Sequence, residues 1–449
     1  MGTVGLSFGS ATSGQGFDVA STVTQIQASE QAIETPWQNQ LTALKAQDTA
    51  LSSLGTDLST LTTSVQALTD FSGIFSAKEG SSSNPDLLSL SSADATAQSG
   101  SHTITVSQLA QTSSDVSTAI SNASDTLSGS VTIQGTVFNI GSSDDTLATL
   151  SAAINSAAIG VSSSVITDSS GSRLSIVSGT SGAAGQLSIS SSLSGASSGA
   201  ITFQTGETGQ DANLTVDGVS VTSPSNTVSN AIPGVTFQLL ATSATPVQVQ
   251  ITNDTTDIAK AIGSFVTAYN AVVKDVNTQE GNDSSGNPEP LYGSPTMATI
   301  QSGLTGALFG GAASGSINNI TQLGLTLNDD GTLSLDSSTL TSVLNSNFSD
   351  VTGFMQNTGS FGQTLSTALN NLGTQAPNGA VYLAQQQNSS EESALNTDIT
   401  KENATLASQK TQLTTELNTA NEILQSIPSQ LNEVNEMYSA ITGYNQQKS

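Results

Sequence analysis

Apolar residues return every seven positions near both ends of the chain. Toward the front, Trp37, Leu44, Leu51, Leu58 and Val65 keep that spacing, and Leu54, Leu61 and Leu68 each follow three residues after the last three of them. This is the a/d seam of a helix that needs a partner to cover it. A shorter stretch with Val19, Val23, Ile26 and Ile33 precedes it. Pro36 predicts a break between the two, because proline is tolerated at a helix start and not in its interior. Toward the other end, Ile399, Leu406, Leu413, Ala420, Ile427, Val434 and Ile441 repeat the spacing, with Leu417, Leu424, Leu431 and Tyr438 three residues before the last four. A helix from Ser390 to Ile441 would be about 75 Å long at about 1.5 Å per residue. Pro428 predicts a kink or split near Ile427. Burying a leucine contributes roughly 1.5–3 kcal/mol, whereas ordering each residue costs about 1–2 kcal/mol. A helix with two apolar positions in seven therefore cannot stand alone.

Between these ends the period changes from seven to two. Alternating runs occur at 102–106, 131–133, 136–140, 161–166, 173–177, 187–189, 214–216, 235–239 and 247–251, separated by Gly, Ser, Asn and Asp clusters. These predict strands joined by turns. One helix interrupts them at 146–158, with Leu147, Leu150 and Ile154 on one face and Asp144 or Asp145 near its cap. A Gly/Ser-rich seam near 190–200 suggests two β domains. Helical spacing returns at 256–276 through Ile258, Ile262, Phe265, Val266, Tyr269 and Val273, and again near 296–308. Asp330-Gly331 between two alternating runs predicts a hairpin with a primed turn. The fold class is multidomain α+β, with N- and C-terminal helices paired as coiled-coil or bundle legs and mainly β domains inserted between them. The expected domains are 1–36 with 400–449 (legs), 37–70 with 255–399 (helical, with the hairpin), 71–128 with 232–254 (inner β) and 129–231 (outer β).

Composition narrows the function more than the fold. The chain has 449 residues, only 4% of them aromatic and 10% charged, so its cores rest on Leu, Ile, Val and Ala. Eight basic residues against 35 acidic ones give a net charge of −27. No basic stripe exists to neutralise phosphates, which excludes nucleic acid as a partner and disfavours anionic membranes. There is no cysteine, so thiol catalysis, disulfides and Cys-ligated metals are excluded. The N-terminal residues have neither a basic nor an apolar signal region, and no apolar run reaches the roughly 20 residues that span a bilayer.

A search for chemistry finds little. His102 is the sole histidine and is expected to face solvent from a strand. Gly195-Ala-Ser-Ser-Gly199 matches a nucleophile-elbow pattern by letters but lacks the strand and helix that would strain Ser197. The loop around Asp283 has too few oxygen ligands for an EF-hand. Asp217-Gly218 reads as a turn. No catalytic, cofactor or metal site is expected, and the protein is not expected to be an enzyme.

Several segments, taken in order, resemble the flagellar hook-associated protein 2 family, the bacterial filament-cap proteins. Gly16-Phe-Asp-Val-Ala-Ser-Thr-Val-Thr-Gln-Ile26 is similar to the family's Gly-Leu-Asp-Val-x-Ser-Ile-Val opening, placing Asp18 and Val19 in the motif. Glu34-Thr-Pro-Trp37 leads into the heptads, and Thr105-Val-Ser-Gln-Leu-Ala110 resembles the strand closing the N-terminal region. The stretch 147–157, with Gly160-Val161 and Arg173-Leu174, looks like an insert module shared with flagellins. Phe265-Val-Thr-Ala-Tyr269-Asn270, Leu291-Tyr-Gly-Ser294 and Asp330-Gly331-Thr-Leu-Ser-Leu-Asp336 match the C-terminal region in order. Ser294 stands where the family often has Asp.

The resemblance implies a secreted structural protein at the flagellum tip, exported by the flagellar type III route without signal cleavage. It implies a ring-shaped homo-oligomer of roughly four to six copies, which helps flagellin fold and insert. Further implied partners are the hook-filament junction protein and an export chaperone reached through the C-terminal helix. The rival readings are another axial protein (flagellin or junction protein) and a surface adhesin acting through the β domains.

Overall fold

The computed structural model describes residues 15–143 and 145–443. The chain forms two compact units: residues up to Thr69 together with those from Ala261 onward, and the stretch Asp70–Lys260.

The first unit is helical. It contains α1 (Val19–Gln31) and α2 (Thr35–Thr69) from the front of the chain. Pro36 stands in the first turn of α2, where its missing N–H costs nothing. Asp18 caps α1 by accepting from the Ser21 N–H at 3.1 Å. The heptad leucines of α2 form its buried stripe: Leu44, Leu51, Leu54, Leu58, Leu61, Val65 and Leu68 are all buried, and Trp37 is half-buried.

The second unit begins with β1 (Lys78–Ser82), β2 (Leu88–Ala93), β3 (Gly100–Gln108), β4 (Thr112–Ser117), β5 (Leu127–Ser128), β6 (Ser130–Ile133) and β7 (Thr136–Asn139). After α3 (Leu147–Ser156) come β8 (Val161–Asp168), β9 (Gly171–Ser181), β10 (Ile189–Ser191), β11 (Leu193–Gly195), β12 (Gly199–Ile201) and β13 (Phe203–Glu207). It closes with β14 (Ala212–Val216), β15 (Val219–Ser223), β16 (Thr227–Ile232), β17 (Val235–Leu239) and β18 (Val247–Asn253). A five-stranded sheet in the order β1-β18-β3-β14-β15 and a three-stranded sheet β16-β17-β2 enclose one core, with Ile104, Val106, Leu214, Phe237, Val249 and Ile251 at its centre. The sheet β13-β4-β9-β8, with the smaller sheets β10-β6-β7 and β12-β11-β5 and helix α3, encloses the other, around Leu150, Ile154, Leu174, Ile176 and Val131. All strand pairs are antiparallel, as expected of hairpin-linked strands.

Two expectations need correction here. The stretch 190–200 is not a seam: its serines close backbone bonds, as when Ser191 Oγ donates to the Ile201 carbonyl at 2.7 Å, and Leu193 and Ile201 sit in the second core. The cap of α3 is Thr146, in a reciprocal pair with Thr149; Asp145 stands directly before it, near the cap as expected, and Asp144 lies outside the described residues. The run at 187–189 pairs two residues later, so that Ile189 opens β10 while Leu187 gives its N–H to Ser113 Oγ at 3.1 Å.

The helical unit resumes with α4 (Thr255–Gln279), which crosses from one unit into the other, then α5 (Pro295–Leu308), β19 (Leu325–Leu327) and β20 (Leu333–Leu335). It continues through α6 (Ser337–Ser346), α7 (Phe348–Gln356), α8 (Phe361–Leu372) and α9 (Ala380–Thr442). Ser294 caps α5 by accepting from the Thr296 N–H at 3.2 Å, the role an aspartate would fill. The β19–β20 turn is also a correction. It spans Asn328–Thr332, and of Asp330 and Gly331 only Gly331 has positive φ, at 81°. The two-residue primed turns lie elsewhere, at Gln134-Gly135 and Asp217-Gly218, where both residues have positive φ. Pro428 does not split the last helix. α9 continues through it, 63 residues in all, although the proline has no N–H to give, and the Ser426 and Ser429 hydroxyls bond back to the carbonyls of Ile423 and Ser426 at 2.8 and 2.7 Å.

Candidate assembly surface

Five contacts tie the front of the chain to its end. Phe17 N–H donates to Asn421 Oδ1 at 2.8 Å, Gln27 Nε2 to the Leu406 carbonyl at 2.9 Å, and Asn388 Nδ2 to Asp48 Oδ1 at 2.9 Å. Gln385 Nε2 donates to Ser52 Oγ at 3.3 Å, and Gly55 faces Val381. As residue numbers rise along α1 and α2, their partners on α9 fall by similar steps. Both helices therefore lie antiparallel on α9 in one continuous register. Below them α2 also packs on α7 and α8, so its seam closes inside a bundle.

The seam of α9 changes character along its length. Leu406 is buried under α1, and Leu413, Leu417, Leu424 and Ile427 are half-buried. Beyond Asn421, where the described part of the front strand of contacts ends, Leu431 is 45% exposed, Val434 59% and Ile441 79%, with Met437 and Tyr438 exposed beside them. Exposed apolar side chains on one helical stripe at heptad spacing need a covering surface.

A second constellation joins the two sequence motifs of the C-terminal half. On α4, Phe265 and Tyr269 are buried with ring centroids 6.2 Å apart. Burial pushes the Tyr269 phenol up to about 12. The next residue, Asn270, takes both backbone groups of Leu333: its Nδ2 donates to the carbonyl at 2.8 Å and its Oδ1 accepts from the N–H at 2.7 Å. Asn277 Nδ2 donates to the Asp330 carbonyl at 2.9 Å. The Asp330 carboxylate accepts from Thr332 N–H and Oγ1 at 3.0 and 2.6 Å, which lowers its pKa. Asp336 caps α6, and its bonds from Ser338 and Thr339 bring it down to about 2. The hairpin is thus clamped onto α4 by amides. Asn277 and the caps were missed in the sequence, where polar helix residues carry no periodic signal.

Elsewhere the candidates for chemistry resolve into structure. The Gly195–Gly199 loop is a turn held by buried Asp125, which accepts from Ser197 N–H at 2.9 Å and Ser198 Oγ at 2.8 Å. His102 does not simply face solvent: its Nδ1 lies 2.7 Å from Asp217 Oδ2, and the Thr103 N–H donates to Asp217 Oδ1 at 2.8 Å. Those contacts lower the Asp217 pKa, the Thr103 N–H most, and fasten the Asp217-Gly218 turn to β3. Between α2 and α4, Asp57 is raised by burial and by Asp275 beside it, which also accepts from Ser53 Oγ at 3.2 Å. Among the described residues no group of three or more His, Cys, Asp or Glu is placed to hold a metal, and no helix is long and apolar enough to cross a membrane.

Comparison with known proteins bears on these same segments. Residues 209–434 match the family model of the flagellar hook-associated protein 2 C-terminus, and residues 15–113 that of its N-terminus. The chain belongs to the flagellar hook-associated protein 2 family. It is 29% identical over 322 residues to the B-type flagellar hook-associated protein 2 of Pseudomonas aeruginosa, covering 63% of this chain and 67% of that one. It is 29% identical over 371 residues to flagellar hook-associated protein 2 of Escherichia coli, covering 75% and 78%. Its fold is similar to the crystal structure of the flagellar cap protein FliD, domains D1-D2-D3, from Escherichia coli, with a TM-score of 0.57, 27% identity, and coverage of 76% and 99%. Membership in the hook-associated protein 2 family favours the filament-cap reading over flagellin, junction protein or adhesin. The helical ends with β-rich domains between them are the architecture expected of that family from the sequence.

Proposed function

We propose that this chain is the structural cap at the distal tip of a flagellar filament, self-assembling there and promoting flagellin insertion, with no catalytic role. The observation that carries the proposal is the apolar stripe of α9 beyond Asn421, exposed at Leu431, Val434 and Ile441 on a helix whose earlier seam residues are covered in part by α1 and α2. A cap must hold its filament and also release each contact as a subunit enters. A stripe with only two apolar positions in seven gives contacts of that exchangeable strength. The ring of roughly four to six copies, the contact with a hook-filament junction protein, the chaperone site on α9 and export by the flagellar type III route belong to the same proposal.

The test is the double substitution Leu431→Asp with Val434→Asp in the producing cell. Both side chains are exposed, so the fold is expected to survive. Electron microscopy should then show short or missing filaments, with flagellin released to the medium. Filaments of ordinary length would refute the proposal.

A further inference from the structure

Helix α5 has one face packed and one face bare. Met297, Ile300, Leu304, Ala307 and Leu308 are buried. The opposite side carries Ala298, Ser302 and Gly306 in a row, bordered by Gln301 and Thr305 and ended by Phe309, which is 65% exposed. These residues line a shallow groove. A Cβ added at Gly306 would meet nothing within 4 Å. From Leu291 to Asn328 the sequence has no Asp, Glu, Lys, Arg or His. Asp330 stands at the margin, sharing a small cavity with Gln301 and Thr305.

Each copy of the chain carries a net charge of −27, so copies meeting through charged surface repel. An uncharged face removes that obstacle, and burying it strands no ion. Interface centres are depleted of charge, enriched in aromatic residues and rimmed by polar groups. Here one helix offers both a protruding ring and a recess of small side chains. We infer that the bare face of α5 is a contact surface for a second copy of this chain, with Phe309 of one copy seated against the small-residue row of another. The inference rests on the self-assembly reading above. At about 21 Å long and about 10 Å wide, the helix face supplies part of the roughly 800 Å² per partner that a stable interface buries, as its centre.

The test is sedimentation velocity of the full chain over a concentration series, comparing the unaltered protein with Gly306→Glu and, separately, Phe309→Ser. Both positions are exposed, and thermal melting followed by circular dichroism checks that each variant folds. The expected result is an association constant at least tenfold weaker in both variants. If the unaltered chain associates and the variants associate equally well, this surface is wrong and self-assembly stands. If the unaltered chain stays monomeric throughout, self-assembly and this surface both fall.

Discussion

The Asn270 clamp can be taken apart with one substitution. Asn270→Ala deletes two short hydrogen bonds, at 2.8 and 2.7 Å, and leaves the Leu333 carbonyl and N–H facing α4 with nothing to bond. Leu333 is buried, so water does not replace the amide freely. Each bond contributes about 1 kcal/mol net, and an orphaned buried group costs about 1–3 kcal/mol. The expected loss is therefore about 2–4 kcal/mol for the helical unit. Trp37 is the sole tryptophan of the chain and belongs to that unit, so its fluorescence reports this unfolding step and not that of the β domains. With a urea slope of about 1–3 kcal/mol per molar, the midpoint should fall by about 1–2 M. Asn277→Ala, which removes a single bond from an exposed donor, should cost less than about 1 kcal/mol. Equal small losses for both substitutions would refute the idea that the amides of α4 anchor the hairpin.

Other outcomes follow from the same geometry. Leu58→Ala, at a position 0% exposed, should destabilise the helical unit by about 2–5 kcal/mol in urea unfolding, whereas Leu431→Ala should change it by less than about 0.5 kcal/mol. The Asp336 carboxyl should titrate near 2 in a carbon-detected NMR experiment. Because its pKa is lowered on folding, its stabilising effect is present above the unfolded value near 3.8 and fades as pH falls toward 2. Tyr269 behaves oppositely. Its raised pKa means full stability below about 10 and progressive loss as pH rises to about 12, visible as one late-ionising tyrosine in an ultraviolet titration that becomes ordinary in urea. Gly331→Ala places a Cβ at φ 81° and should cost about 1 kcal/mol by thermal melting, with Thr332→Ala as the unstrained neighbour for comparison.

What could be read in the sequence was whatever repeats. The heptads of α2 and α9 mark residues whose burial is periodic, and alternation marks strands such as β3, β17 and β18 whose faces differ. Strands without that contrast stayed hidden: β4 buries Ser113, Asp115 and Ser117, and β1 buries nothing fully. Helices α6 to α8 were missed because each is short, 9 to 12 residues, and a pattern of two turns is hard to distinguish from chance. The proposed assembly surface left a trace of the same kind. Periodicity marks the seven-residue stripe on α9, yet it does not separate its buried Leu406 from its exposed Leu431, Val434 and Ile441. The clamp residues Asn270 and Asn277 became meaningful only when the hairpin lay beside them. The bare face of α5 left no mark, since small polar residues on an exposed helix resemble any solvated surface.

The pairing of β1 with β18 sets Lys78 opposite Asn253, with the Asp254 N–H donating to the Ala77 carbonyl at 3.0 Å. Two points far apart along the polypeptide are thereby fastened side by side, just where the chain passes into and out of the β unit. For α2 to find α4 without that fastening, a loop approaching 200 residues would have to close; with it, only a handful remain. By the logarithmic scaling of loop entropy the saving is about 3 kcal/mol. The β unit thus serves as a buckle for a discontinuous helical bundle. Cutting the β1–β18 ladder would slow assembly of the helical bundle, because its two halves would again have to search for one another.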